Sequence, residues 1–141
     1  MARFFVDANT LVSGLVFEGN ESLLLDLARL AVCELVTNEY VREEVRDVLS
    51  RPRLGLSSVE REGAMALLAR WVTIEEDPPP DLVVAARGRL ADEDDLPILI
   101  GFERSGCDFL VTGDRDLRGR VPKAITTRAA IRRVLPDLES D

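Results

Sequence analysis

The apolar run Phe4-Phe5-Val6 ends directly on Asp7, and that junction narrows what the chain can become. Apolar residues on successive positions mark a strand buried on both faces, as in parallel sheets. Arg3 to Val6 therefore reads as a first strand. Glu34 to Thr37, Trp71 to Glu75, Asp108 to Thr112 and Val121 to Thr126 read as four more. Helices fill the intervals. A turn through Asn9, Ser13 and Gly14 leads to a leucine-rich helix from about Glu21 to Val32. Asn38 caps a helix that runs to about Leu49 and stops before Arg51-Pro52. Ser57 and Glu60 have capping-box spacing and open a helix to about Arg70. A helical piece spans Leu82 to Leu90, another runs from about Asp95 to Ser105 and ends at Gly106, and Thr126 or Thr127 caps a last one to Leu135. Strands alternating with helices predict an α/β fold: three layers, with a central, mostly parallel sheet of about five strands. The stiff connector Asp77-Pro78-Pro79-Pro80-Asp81 leaves too little chain on either side for a boundary. Residues 1–141 thus read as one domain.

Composition removes several kinds of chemistry. The chain has no histidine, which excludes Ser-His-Asp and Cys-His catalysis, histidine-ligated zinc and paired-histidine ribonuclease chemistry. Hydrolytic work must fall to carboxylates with oxygen-ligated metals such as magnesium or manganese. Cys33 and Cys107 have no CxxC spacing and read as small buried hydrophobes in a reducing compartment. The net charge of −8 and pI near 4.7 argue against coating nucleic acid by bulk electrostatics. They leave a nuclease open, since metal neutralises part of the acid and arginines can form a local positive rim. The opening residues are too few and too soon acidic for a signal peptide, and no apolar run approaches membrane-spanning length. The expectation is a cytoplasmic protein without membrane contact.

The acids then sort by position. Asp7 ends the first strand, and Asp114 follows Phe109-Leu110-Val111 after only Thr112 and Gly113. Ligands of α/β folds bind at the carboxyl edge of the sheet, where both acids fall. On the helix after Asn38, Val41, Val45 and Val48 form the apolar face, and Glu44 flanks it while Glu43 points to solvent. Asp95 shares a stripe with Ile98, Leu99 and Phe102 at helical spacing, so it occupies the first turn of the inward face. Glu93 and Asp94 read as dipole and capping residues. Asp92 and Asp95 are assigned to function, because four adjacent acids repel more than capping requires. Carboxylates gathered at one edge raise one another's pKa unless a cation compensates, which points to a divalent metal. Asn9, Thr10 and Thr112 fit either turn and strand-end roles or the orientation of Asp7 and a bound water. Asp116 reads as a loop or capping residue.

These pieces together resemble PIN-domain nucleases, in particular the toxin components of bacterial and archaeal toxin–antitoxin systems related to the VapC ribonucleases. The likeness runs through Val6-Asp7-Ala8-Asn9-Thr10-Leu11-Val12-Ser13, Glu44 followed by Val48-Leu49-Ser50-Arg51-Pro52, Asp92-Glu93-Asp94-Asp95, and Leu110-Val111-Thr112-Gly113-Asp114-Arg115-Asp116-Leu117. It implies a metal site of Asp7, Glu44, Asp95 and Asp114, with Asp92 as a further member and Mg2+ or Mn2+ as the ion. It also implies metal-assisted hydrolysis of RNA phosphodiesters, leaving a 5′-phosphate and a 3′-hydroxyl. Single-stranded or loop RNA, an antitoxin protein and a homodimer belong to the same expectation. Arg51, Arg53, Arg115, Arg118 and Arg120 are candidate phosphate contacts, although exposed arginines more often only solvate a surface. The helix after Asp95 departs from its alanine-rich counterparts in carrying Pro97, Gly101 and Phe102.

Two rivals stand beside this reading. A haloacid-dehalogenase-type phosphatase also places an aspartate at the end of its first strand. It needs a second acid where this chain has Asn9, and a lysine before its last acids, where the only lysine is Lys123. A non-catalytic PIN-like scaffold or receiver-like switch would bind metal without turnover.

Overall fold

The structure is a computed structural model that describes residues 1–136. Its sheet is built from β1 (Arg3–Val6), β2 (Glu34–Asn38), β3 (Val72–Glu75), β4 (Phe109–Val111) and β5 (Ala124–Ile125). All neighbouring pairs are parallel, in the order β3-β2-β1-β4-β5. Phe4 on the central strand is level with Leu35 on one side and Phe109 on the other. Phe4, Phe5 and Val6 are completely buried, as are Val36, Leu110 and Val111. Such continuous runs are what a sheet covered on both faces requires.

The helices are α1 (Ala8–Val16), α2 (Asn20–Arg29), α3 (Glu39–Leu49), α4 (Ser58–Trp71), α5 (Pro80–Ala85), α6 (Leu96–Ser105), α7 (Arg115–Arg120) and α8 (Thr127–Val134). The chain steps outward from β1 through β2 to β3, then crosses back to β4 and out to β5. α1 packs against α2, α3 and α4, and α5 packs against α6; crossovers of the usual right hand put these two groups on opposite faces of the sheet. The result is one three-layer α/β domain with an all-parallel sheet. The order of strands reverses between β1 and β4, so a crevice opens there at the carboxyl edge. Among the described residues, no helix is long and apolar enough to cross a membrane.

Most expected elements are present, and the departures have physical causes. The segment expected to turn through Asn9 to Gly14 is instead α1. Its Asn, Thr, Ser and Gly content disfavours a helix, but Ala8, Leu11 and Val12 bury one face and Asp7 caps the start. Gly14 serves a close approach rather than a turn. A Cβ there would stand 2.6 Å from Leu25 Cδ1 and 2.8 Å from the Glu21 carbonyl oxygen, both on α2. The strand expected over Val121 to Thr126 shrinks to Ala124–Ile125. Val121 instead donates to the Leu117 carbonyl and closes α7, a helix the sequence pattern does not mark, and Pro122 has no amide hydrogen for a ladder. The piece expected over Leu82 to Leu90 begins earlier, with Pro80 in its first turn, and ends at Ala85.

Candidate active site

Asp7 follows β1 directly and lies only 7% exposed. Both of its carboxylate oxygens are held. Oδ1 accepts the Thr10 amide at 3.0 Å, which caps α1, and Oδ2 accepts the Thr112 hydroxyl at 2.5 Å. Thr112 is itself fully buried past the end of β4, and its Oγ1 accepts the Asp114 amide at 3.0 Å. Asp114 caps α7, with Oδ1 accepting the amides of Asp116 at 2.8 Å and Leu117 at 3.1 Å. One hydroxyl thus joins the two strand-end acids across the strand-order reversal.

Two helices bring the other acids. α3 buries Val41, Val45 and Val48, which turns Glu44 along the cleft wall while the residue as a whole stays exposed. Burial first, and then the charge of Asp7, raise the Glu44 pKa, with Arg51 opposing. Asp95 ends a single 3-10 turn, Glu93–Asp95, and leads into α6. Burial, followed by the charges of Asp114, Asp92, Glu44 and Asp7, pushes its pKa up to about 6. That repulsion comes from every other acid of the set, so the acids share one field.

Asp7, Glu44, Asp95 and Asp114 line a single cleft of about 310 Å³, with Ile98 and Leu117 as its apolar wall. Asn9 and Gly113 complete the lining with Ala8. Among the described residues, no three acidic or cysteine side chains already stand at ligand distance from one point. The donor set still fits a hard divalent ion, because every polar side chain lining the cleft ligates through oxygen and both cysteines are buried. Magnesium in particular keeps several waters and asks for few protein ligands.

The remaining candidate residues take varied places. Asp92 is exposed, caps the 3-10 turn by accepting the Asp94 amide at 2.9 Å, and does not line the cleft. Thr10 acts on Asp7 through its backbone. Arg51 lies 3.7 Å from Asp47, and Arg120 lies 2.7 Å from Asp116. Asp116 also accepts the Ala91 amide, which makes it a structural residue. Arg118 donates to the Gly113 carbonyl at 3.4 Å, while Arg53 and Arg115 are exposed. Tyr40 lies outside the set that the pattern of acids singles out. Its hydroxyl donates to the Asp94 carbonyl at 2.7 Å and so ties the acidic turn to α3. Its spacing of one helical turn before Glu44 was the available signal. Asn38 caps α3 through Oδ1, and its side-chain amide also donates to the Pro97 carbonyl at 3.2 Å. Gly101 lets α6 approach, since a Cβ there would meet Asn38 Nδ2 at 2.5 Å.

Residues 3–116 match the family model described as "PIN domain". The chain belongs to the PIN-domain family. PIN domains are as a rule metal-dependent nucleases. The fold is similar to that in the crystal structure of PAE2754 from Pyrobaculum aerophilum, with a TM-score of 0.69 at 22% identity over 96% of each chain. No curated protein matches. A dehalogenase-type phosphatase finds no support in this PIN domain. Lys123 precedes β5 at the amino edge of the sheet, beside Cys107 and Asp108, and not at the carboxyl edge with the acids.

Proposed function

We propose that this PIN domain is a Mg2+- or Mn2+-dependent endoribonuclease, the toxin of a toxin–antitoxin pair, acting on single-stranded or loop RNA. The observation that carries the reading is the convergence of Asp7, Glu44, Asp95 and Asp114, from four separate segments, on one cleft at the strand-order reversal. The RNA substrate, the antitoxin and a homodimer rest on the resemblance to VapC-related toxins.

The four acids would hold the metal, with Asp92 just outside them. A bound divalent ion supplies acidification of water and charge neutralisation at the scissile phosphate. The protein's own contribution is order. Asp7 is fixed by the Thr10 amide and the Thr112 hydroxyl, so it need not reorganise when the site fills. Asp114 is fixed through its backbone by the same Thr112 and through Oδ1 by the start of α7. The apolar wall of Ile98 and Leu117 limits water on one side of the cleft. Asn9 sits beside Asp7, where an amide can hydrogen-bond a phosphate or a water. Arg53 and Arg115 are exposed and available to the RNA backbone.

The test is cleavage of labelled single-stranded RNA, with duplex DNA in parallel, in manganese, magnesium or EDTA. Metal-dependent cutting that leaves 5′-phosphates supports the reading. Faster cutting of duplex DNA would displace RNA as substrate. Metal binding without cleavage of any nucleic acid would leave a non-catalytic scaffold. Light scattering that finds only monomer would remove the homodimer, and an inert neighbouring gene product would remove the antitoxin.

A further inference from the structure

A second groove opens from the acid-lined cleft and shares Asn9 and Gly113 with it. Its volume is about 290 Å³, and every other residue lining it is polar or charged: Thr10, Ser13, Asn20, Glu21, Thr126, Thr127 and Arg128. Where the cleft holds four acids, the groove holds a single one, Glu21. An anionic strand leaving the cleft therefore meets less repulsion here than among the four acids.

Thr10 and Thr127 are each 8% exposed, and neither hydroxyl has a hydrogen-bond partner among the described residues. Among those residues, Arg118 Nε is the one fully shielded side-chain polar atom without a partner. The two threonine hydroxyls must therefore keep contact with solvent, and the groove these residues line is where they do so. A hydroxyl that reaches solvent only through such a recess is completed by water, or by a ligand oxygen that takes the water's place. Thr127 is also the first residue of α8, whose cap, Thr126, takes up only the Ala129 amide with its side chain. The leading amides of α8 face an anion favourably.

We infer that this groove binds the backbone phosphate of the RNA nucleotide next to the scissile bond. The Thr10 and Thr127 hydroxyls and the start of α8 are its donors. This rests on the nuclease reading above and adds a subsite to it. The polar lining offers no aromatic platform for a base, so the subsite grips backbone and is tolerant of sequence.

The experiment is fluorescence anisotropy of a labelled ten-nucleotide single-stranded RNA on the full chain, in EDTA so that nothing is cut. Three variants carry opposite signs. Thr127→Val removes a donor at constant shape and should weaken binding by about threefold to tenfold. Asn20→Asp, at the first turn of α2 where an acid suits the helix, should weaken it through repulsion. Glu21→Gln removes the groove's only acid and should tighten it. Melting temperatures confirm that each variant is folded, and Asn20→Asp and Glu21→Gln keep the test alive if Thr127→Val is not. Wild-type binding with all three variants unchanged overturns the subsite alone. A wild type that neither binds nor cuts RNA overturns the nuclease reading and the subsite with it.

Discussion

Thr112 donates from Oγ1 to Asp7 Oδ2 at 2.5 Å, and the same oxygen accepts the Asp114 amide at 3.0 Å. A single buried hydroxyl therefore sets the spacing of the two acids on either side of the crevice. Thr112→Val keeps the shape and removes both bonds. It should cost about 1–3 kcal/mol of stability, because a buried carboxylate oxygen and an amide lose their partner. Metal-dependent cleavage should fall by about 10- to 100-fold, as when an outer hydrogen bond to a ligand is lost. Thr112→Ser should retain most of both. Denaturant titration and initial rates check this, and equal activity in Val and wild type would contradict it.

Asp95 couples the site to pH. Its pKa of about 6 lies above the ordinary 3.8, so between these values the folded protein binds the proton more tightly than the unfolded chain does. By linkage, metal-free protein should lose stability as pH rises through that interval and stay at the lower level above it. Asp95→Asn lacks this loss. Without metal at pH 7 it should melt about 3–6 °C higher than wild type, with the two curves converging below pH 4. Magnesium should narrow the gap by stabilising wild type. Coincident melting curves at every pH would show that Asp95 does not sit in the field of the other acids.

Tyr40 acts on the site at one remove. Its hydroxyl holds the Asp94 carbonyl at 2.7 Å, and its backbone amide donates to Asp77 at 2.7 Å. Tyr40→Phe should loosen the turn that presents Asp95 without removing a ligand. The expected result is metal affinity weaker by about tenfold with little change in rate at saturating metal. A lower rate at saturation with unchanged affinity would assign Tyr40 a different role.

Close packing of α1 on α2 gives a further test. Gly14→Ala would place a methyl group 2.6 Å from Leu25 Cδ1 and 2.8 Å from the Glu21 carbonyl oxygen. The helices must separate, at a cost of about 1–3 kcal/mol. Urea titration measures it, and an unchanged midpoint would mean that the two helices are not so close.

The same segment shows where the sequence was legible and where it was not. Phe4-Phe5-Val6-Asp7 announced a buried parallel strand with an acid at its carboxyl end because its pattern is local. The spacing of Val41, Val45 and Val48 likewise selected Glu44 over Glu43 for the cleft wall. Residues 8–16 carry poor helix formers, and only burial against the rest of the fold makes them α1. The acidic run was half legible. Helical spacing separated Asp95 from Glu93 and Asp94, but nothing in spacing could place the Asp92 carboxylate on its own turn. The Thr112 link from β4 to Asp7 spans the crevice and becomes visible only once β1 and β4 are neighbours.

The nuclease mechanism depends most directly on divalent-ion binding by the acid-lined cleft. Calorimetric titration of Mn2+ into the full chain should show binding that Asp7→Asn weakens at least tenfold while the protein stays folded. Asp7 is the best anchored of the four acids, and its loss removes one carboxylate charge from the site. Manganese binding of equal strength in wild type and Asp7→Asn, or no binding in either, would contradict the metal centre and the nuclease mechanism built on it.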